Sequence, residues 1–350
     1  MRTFLVALLS FGAAAGCGGD PSWEPAFLTA ADPDEPGYAR VEPGWLMNVW
    51  ALSPTEVFAV GGDADDGTGG RILRSDGDGW ADVDHGLAVP LLNWITGFGP
   101  DDLWVVGVEG TMIHHDGSTW ARVEVPTQED LWGIWGAAPD DIWAVGGSGR
   151  SGAEAILLRY DGSAWSQVPL PELDRERVRA LFKVWGTSAD NVYAVGQRGV
   201  LLRFDGSAWS QIVLPDVADD LIALWGSDPD HITVVGGRGN GVVAVWNGAE
   251  WRTARVSPTP GLNGVWMRDP RVAHVVGEPD FISGGVLATL DLETLELTLA
   301  EPPRLAEDRR TFHAVHGVDG RLYAVGGNLA KASNEPSVGI AFTRLLRNDE

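Results

Sequence analysis

The 350-residue chain is short of several residue types, and each shortage excludes something. One cysteine, Cys17, leaves no disulfide framework and no cysteine-based zinc site. Two lysines, Lys183 and Lys331, stand among 25 basic side chains against 49 acidic ones, a formal net charge of −24. That balance argues against nucleic acid, whose phosphates demand basic patches, and against electrostatic docking on anionic lipid. No apolar run reaches the ~18 residues of a membrane-spanning helix. No GxSxG, SxxK, HExxH, P-loop or dinucleotide-binding glycine motif is present. What the chain has in excess is glycine, 46 residues, and tryptophan, 17 residues. Glycine is nearly twice its usual share of about 7%. Many tight turns combined with many large apolar anchors is a β-rich composition, because glycine weakens helices.

Residues 1–16, MRTFLVALLSFGAAAG, read as a signal segment: Arg2, a short apolar stretch to Phe11, then small residues. Ala14-Ala15-Gly16-Cys17 resembles the lipobox of bacterial lipoproteins. The resemblance implies cleavage before Cys17, lipid on its sulfur and an acyl chain on its new amine, and so a cell-envelope location. Several acyl chains anchor stably where one does not. Gly18 lacks the acidic residue that retains such proteins at the inner membrane, which points to the outer membrane or cell surface. Residues 17–37 are rich in Pro, Gly, Asp and Glu and read as a tether, with Trp23, Phe27 and Leu28 available to dock on the body.

Residues 38–350 are repetitive. An apolar residue, two variable residues, an aliphatic, Trp and often Gly lead through a turn to an aliphatic-aromatic-Ala/Val-Val-Gly segment. Copies start at Leu46, Leu92, Leu131, Leu181, Leu221, Leu262 and Phe312. The Trp is 50, 135, 185, 225 or 266; Thr96 and His316 replace it in the second and seventh copies. Most copies continue into a hairpin such as ILLRYDGSAW or LLRFDGSAW, closing on Trp80, Trp120, Trp165, Trp209 or Trp251. Asp-Gly or Asn-Gly between apolar runs is a strong hairpin signal. Each copy therefore holds four short strands, a to d, repeating every ~40–50 residues, as in a propeller blade. The seventh copy lacks strand d, and Tyr38-Ala39-Arg40-Val41-Glu42-Pro43 matches the strand d around Trp120. The fold expected is all-β: a seven-bladed β-propeller, four antiparallel strands per blade, its last blade closed by an N-terminal strand. The pattern resembles bacterial secreted lipoprotein propellers, with WD40-like architecture, and its DGxxW hairpins are similar to the Asp-box (BNR) repeats of sialidase-type propellers.

Connectivity places the uniform a–b and c–d turns on one face and the irregular b–c and d–a loops on the other. Loops displayed on a rigid scaffold are where binding residues concentrate. The candidate ligand-binding set is therefore Arg150, Arg175, Arg179, Arg198, Arg238, Arg309 and Arg310 on those loops. Asn48, Trp94, Trp132, Lys183, Asn263 and His313 join them near the start of strand a, where it meets the channel. Side-chain parity in that strand is left open. Asp63, Asp65 and Asp66 suggest a calcium loop, but Gly67 occupies the third acidic position of the EF-hand pattern. His114 and His115 alternate across a strand and make no metal pair. No cofactor is expected. The reading is a monomeric, lipid-anchored, extracytoplasmic module binding a protein or glycan, without a catalytic site. The alternative is a sialidase-like glycoside hydrolase or polysaccharide lyase, which needs an arginine cluster, a tyrosine and acids together. Tyr38, Tyr160, Tyr193 and Tyr323 all occupy repeat positions filled by Trp or Phe elsewhere.

Overall fold

Strands a and b of each repeat are apolar on both faces, so each blade must be covered on both sides. A closed ring of blades achieves this. The computed structural model of the chain describes residues 22–26, 42–63, 69–77, 79–148, 154–256, 259–280, 284–300, 311–328, 335 and 337–347. It is a seven-bladed β-propeller. Blades 1 to 7 span 45–82, 92–122, 131–167, 181–212, 221–256, 262–299 and 311–345. In the first six, strands a to d are hydrogen-bonded in chain order, every pair antiparallel. Strand b is the most buried: Asn191–Gly196 of blade 4 is buried along its whole length. Strand d is short and turns outward, as in Trp80–Asp82.

The blades interlock through one repeated contact near the channel. The strand-a aromatic of each blade lies over the residue that follows the corresponding aromatic in the next blade. Trp50 covers Gly97, Trp135 covers Gly186, Trp185 covers Gly226 and Trp266 covers Gly317. A Cβ on Gly226 would stand 2.7 Å from Trp185 Cη2, and one on Gly317 would stand 2.6 Å from Trp266 Cη2. Contacts this short explain the Trp-Gly pairing of the repeat: the glycine is the seat of the neighbour's indole. In blade 2, where Thr96 replaces Trp, Phe98 takes over and covers Gly136. Where the glycine is absent, a hydrogen bond replaces the stack. Trp225 Nε1 donates to the Met267 carbonyl at 3.2 Å, and the Ala51 amide donates to His316 Nδ1 at 3.3 Å. That last bond joins blade 7 to blade 1, as does Tyr323 Oη donating to the Pro54 carbonyl at 3.2 Å.

The closing edge differs from the sequence reading in its boundaries. The outer strand of blade 7 is assembled from two short pieces paired with Val338–Leu345. Glu42–Pro43 lies opposite Gly339 and Val338, and Glu24–Pro25 lies opposite Thr343 and Phe342. Of the closing strand expected at 38–43, residues 38–41 lie outside the described residues. The segment read as tether, 17–37, contributes its own edge piece. Trp23 is the reason: it is buried among Trp266, Phe312 and Phe342, and so fixes the chain on blade 7. Phe27 and Leu28 lie outside the described residues.

The DGxxW hairpins are Asx turns. Asp161 Oδ1 accepts from the Ser163 amide at 2.9 Å, its hydroxyl at 2.7 Å and the Ala164 amide at 3.0 Å. Asp116 and Asp205 repeat the arrangement, and Asn247 does so in blade 5 through the Ala249 and Glu250 amides. Donors aimed at the carboxylate stabilise its charged form. Asp161 is lowered to about 2, chiefly by the Ser163 hydroxyl, and Asp205 to about 2, chiefly by the Ala208 amide. Asp116 is lowered further still, led by the Thr119 amide. A depressed folded-state value contributes stability that is present above the unfolded value near 4 and is lost as pH falls through the folded one. The triple variant Asp116→Asn, Asp161→Asn, Asp205→Asn keeps the turns, as Asn247 does. We expect it to retain the fold at pH 7 and to lose less stability than the parent between pH 4 and pH 2, read by denaturant midpoints. An unchanged acid profile would overturn this account of the turns.

Candidate functional site

The two faces of the ring are built differently. On one, the c–d turn packs on the a–b turn of its own blade: a Cβ on Gly206 would stand 2.8 Å from Asp190 Cβ, and one on Gly162 2.9 Å from Asp140 Cβ. Glycine at positive φ is required there, +90° at Gly206. This face is turn chemistry throughout. The opposite face carries the b–c and d–a loops. They hold one another by backbone bonds, such as the Gly110 amide to the Glu129 carbonyl and the Gly239 amide to the Pro260 carbonyl.

A β-bulge marks the start of strand a in every blade. The register shifts between Leu46 and Asn48, Leu92 and Trp94, Leu131 and Gly133, and Leu181 and Lys183. It shifts likewise between Leu221 and Ala223, Leu262 and Gly264, and Phe312 and Ala314. A bulge sets two residues against one and re-aims their side chains. Simple alternation therefore fails at the place where the strand meets the channel mouth.

The candidate residues separate into three groups. The first fastens blade to blade. Asn48 Oδ1 accepts from the Ile95 amide at 3.1 Å, and Asn263 Nδ2 donates to the Phe312 carbonyl at 3.1 Å. Asn93, in the same layer, donates from Nδ2 to the Leu131 carbonyl at 2.9 Å, leaving its Oδ1 buried without a partner. Trp132, by contrast, is tied within blade 3, its Nε1 donating to the Gly147 carbonyl at 2.7 Å. The second group is arginine. Arg238 pairs with Asp220 at 2.7 Å, lies 5.6 Å over the Phe182 ring and acts on the half-buried Glu278. Burial raises Glu278 above the usual carboxylate range, against the pull of Arg238. The Arg198 amide donates to the other oxygen of Asp220 at 3.0 Å. Arg175 pairs with Asp174 at 3.5 Å and reaches the Val217 carbonyl at 3.3 Å. It lines an open groove with Arg179, Glu172 and Glu176. These arginines are spread over several loops, and Arg175 and Arg238 are each ion-paired with an aspartate. Arg150, Arg309 and Arg310 lie outside the described residues, as do Cys17, Asp65 and Asp66. Asp63 Oδ1 accepts from the Ser337 hydroxyl at 3.1 Å. Among the described residues no cluster of three or more His, Cys, Asp or Glu could hold a metal ion.

The third group is the channel wall. Lys183 of blade 4 is 6% exposed. Gly133 of blade 3, which has no side chain, lies against its backbone. Lys183 Nζ stands 2.7 Å from the ring centroid of Trp94 in blade 2. Burial holds the ammonium well below the usual lysine range. Burial first, then the charge of Lys183, lowers His313 of blade 7 to about 4. Burial lowers His316 to about 4 as well. Its ring meets Trp225 edge to face at 5.2 Å, and Trp225 meets Trp185 at 5.5 Å, so an aromatic belt lines the inner wall.

Sequence reasoning missed Asp130 and Asp220, which stand just before strand a in blades 3 and 5. Each cradles a residue in the left-handed region: Glu109 at φ 57° through the Asp130 Oδ1 bond at 3.0 Å, and Arg198 at φ 61° through Asp220. The signal was an acid preceding the repeat leucine, opposite a short b–c turn. The tyrosines described are packing residues. Tyr160 lies against Trp104 and Trp165, Tyr193 is buried, and Tyr323 bridges blades 7 and 1.

No protein-family model matches the sequence, and no curated protein does. Solved structures do match. A structure described as YCF48 bound to D1 peptide superposes with a TM-score of 0.61 at 13% identity, over 94% of this chain and 100% of that one. YCF48 from Cyanidioschyzon merolae gives 0.62 at 15% identity, over 93% and 98%. The WD40 β-propeller domain of Doa1 gives 0.62 at 11% identity, over 87% and 96%. At these identities the likeness is one of fold: the chain shares the seven-bladed β-propeller architecture with them.

Proposed function

We propose that this chain is a lipid-anchored, extracytoplasmic binding module. Its b–c/d–a loop face and channel mouth take a protein or glycan partner, and Cys17 carries the lipid that holds it to the outer membrane or cell surface. The observation that carries this reading is the asymmetry of the two faces. One is closed turn chemistry. The other gathers the irregular loops, the described arginines and an inner mouth lined by Trp94, Lys183 and His313. A propeller of the same architecture, YCF48, is described with a peptide bound, which supports a polypeptide as the occupant of such a scaffold. This reading assigns the chain no catalytic role; the packing of Tyr160, Tyr193 and Tyr323 weighs against a sialidase-type nucleophile among them.

Two outcomes follow. A photo-crosslinking amino acid placed at Arg198, on the loop face, yields partner adducts in cells, whereas one at Ser118, on the turn face, yields none. Adducts from Ser118 alone would reverse the assignment of faces. The variant Cys17→Ser is expected to leave the membrane fraction and to lose globomycin-sensitive processing. Unchanged fractionation and processing would remove the lipid anchor from the account.

A further inference from the structure

The channel layer holding Lys183 is not explained by the fold. The equivalent third position of strand a is Gly133, Ala223, Gly264 and Ala314 in four other blades, so a small residue satisfies the packing there. Asn48 at this position fastens blade 1 to blade 2. Only Trp94 and Lys183 remain, and they face each other. A lysine is costly at such a place: an ammonium removed from water is stable only when paired. Among the described residues no carboxylate pairs with Lys183 and no hydrogen bond satisfies it. His313, lowered to about 4, is uncharged at neutral pH and brings no negative charge to compensate it. In a chain with nearly twice as many acids as bases, an unpaired buried lysine facing an aromatic ring is a half-built ion pair.

We propose that the inner mouth of the channel is a carboxylate-binding site. Lys183 Nζ supplies the positive charge, and the Trp94 ring supplies a flat apolar wall beside it. The ligand is a carboxylate borne on an apolar or aromatic group, either a small organic acid or the C-terminal carboxylate of a peptide. Binding is non-covalent: the amine takes up a proton from solution and pairs with the incoming anion. The overall negative charge disfavours anions in general, so the attraction has to come from Lys183 itself. This deepens the binding role proposed for the same face and rests on it.

The test is calorimetric titration of the soluble domain with benzoate and with benzamide. N-acetyl-Leu-Phe with a free and with an amidated C-terminus forms a second pair. Benzoate is expected to bind at least ten-fold more tightly than benzamide. Titration in two buffers of different ionisation enthalpy is expected to show net proton uptake on benzoate binding that Lys183→Ala loses. Lys183→Ala, which copies Ala223 and Ala314, is expected to lose at least ten-fold in benzoate affinity with the fold intact. Trp94→Leu is expected to weaken binding while keeping the proton uptake. A preference for the free over the amidated dipeptide exceeding that for benzoate over benzamide assigns the site to peptide ends; the reverse assigns it to small acids. Equal binding of acid and amide, or unchanged benzoate binding in Lys183→Ala, would overturn the proposal. That failure would leave crosslinking at Arg198 unaffected, so the two readings fall separately.

Discussion

One contact governs this molecule: an aromatic ring of one blade seated on the backbone of the next. An indole buries ~150–250 Å², and it does so only if the surface beneath it is flat. Glycine supplies that surface at Gly97, Gly186, Gly226 and Gly317. The contact passes from blade 1 to blade 7 and returns to blade 1 through the His316–Ala51 hydrogen bond. Each blade has both faces covered by a neighbour, which is why strands a and b can be apolar without alternation. A ring of this kind has no end that needs capping, and its centre is a fixed channel lined by whatever strand a presents.

The repeat therefore carries two kinds of information. Positions that close the ring are Trp, Gly, aliphatic residues and Asx-Gly turns, and they recur blade after blade. Positions at the start of strand a are free of that duty, and there the blades differ. Asparagine at 48, 93 and 263 ties adjacent blades, glycine or alanine at 133, 223, 264 and 314 leaves room, and Lys183 opposes Trp94. Function is expected where repetition lapses, and Lys183 marks the sharpest lapse.

The number of blades, the four strands and the assignment of loops to faces were legible because each rests on local chemistry: Asp-Gly turns, Trp spacing and chain connectivity. The parity of strand a was not, because the bulge recurring at its start breaks the two-residue period on which parity depends. The closing edge was only half legible. Glu42–Pro43 follows the strand-d pattern, but Glu24–Pro25 is held in place by the burial of Trp23 against Phe312 and Phe342 from the far end of the chain. The candidate arginines pair locally: Arg175 with its sequence neighbour Asp174, and Arg238 with Asp220, which it meets only in space.

The seat contact is most directly tested by a double-mutant cycle at the blade 6–7 junction. The three atoms nearest a Cβ at Gly317 would all belong to the six-membered ring of Trp266, at 2.6 to 2.7 Å. Phenylalanine at 266 withdraws that ring. Gly317→Ala alone is expected to destabilise by about 1–3 kcal/mol through overpacking. In the Trp266→Phe background the same change is expected to cost less, with a coupling of ~0.5–3 kcal/mol by denaturant unfolding. Additive single effects would mean that the indole does not sit on Gly317, and the blades would have to be held by something else.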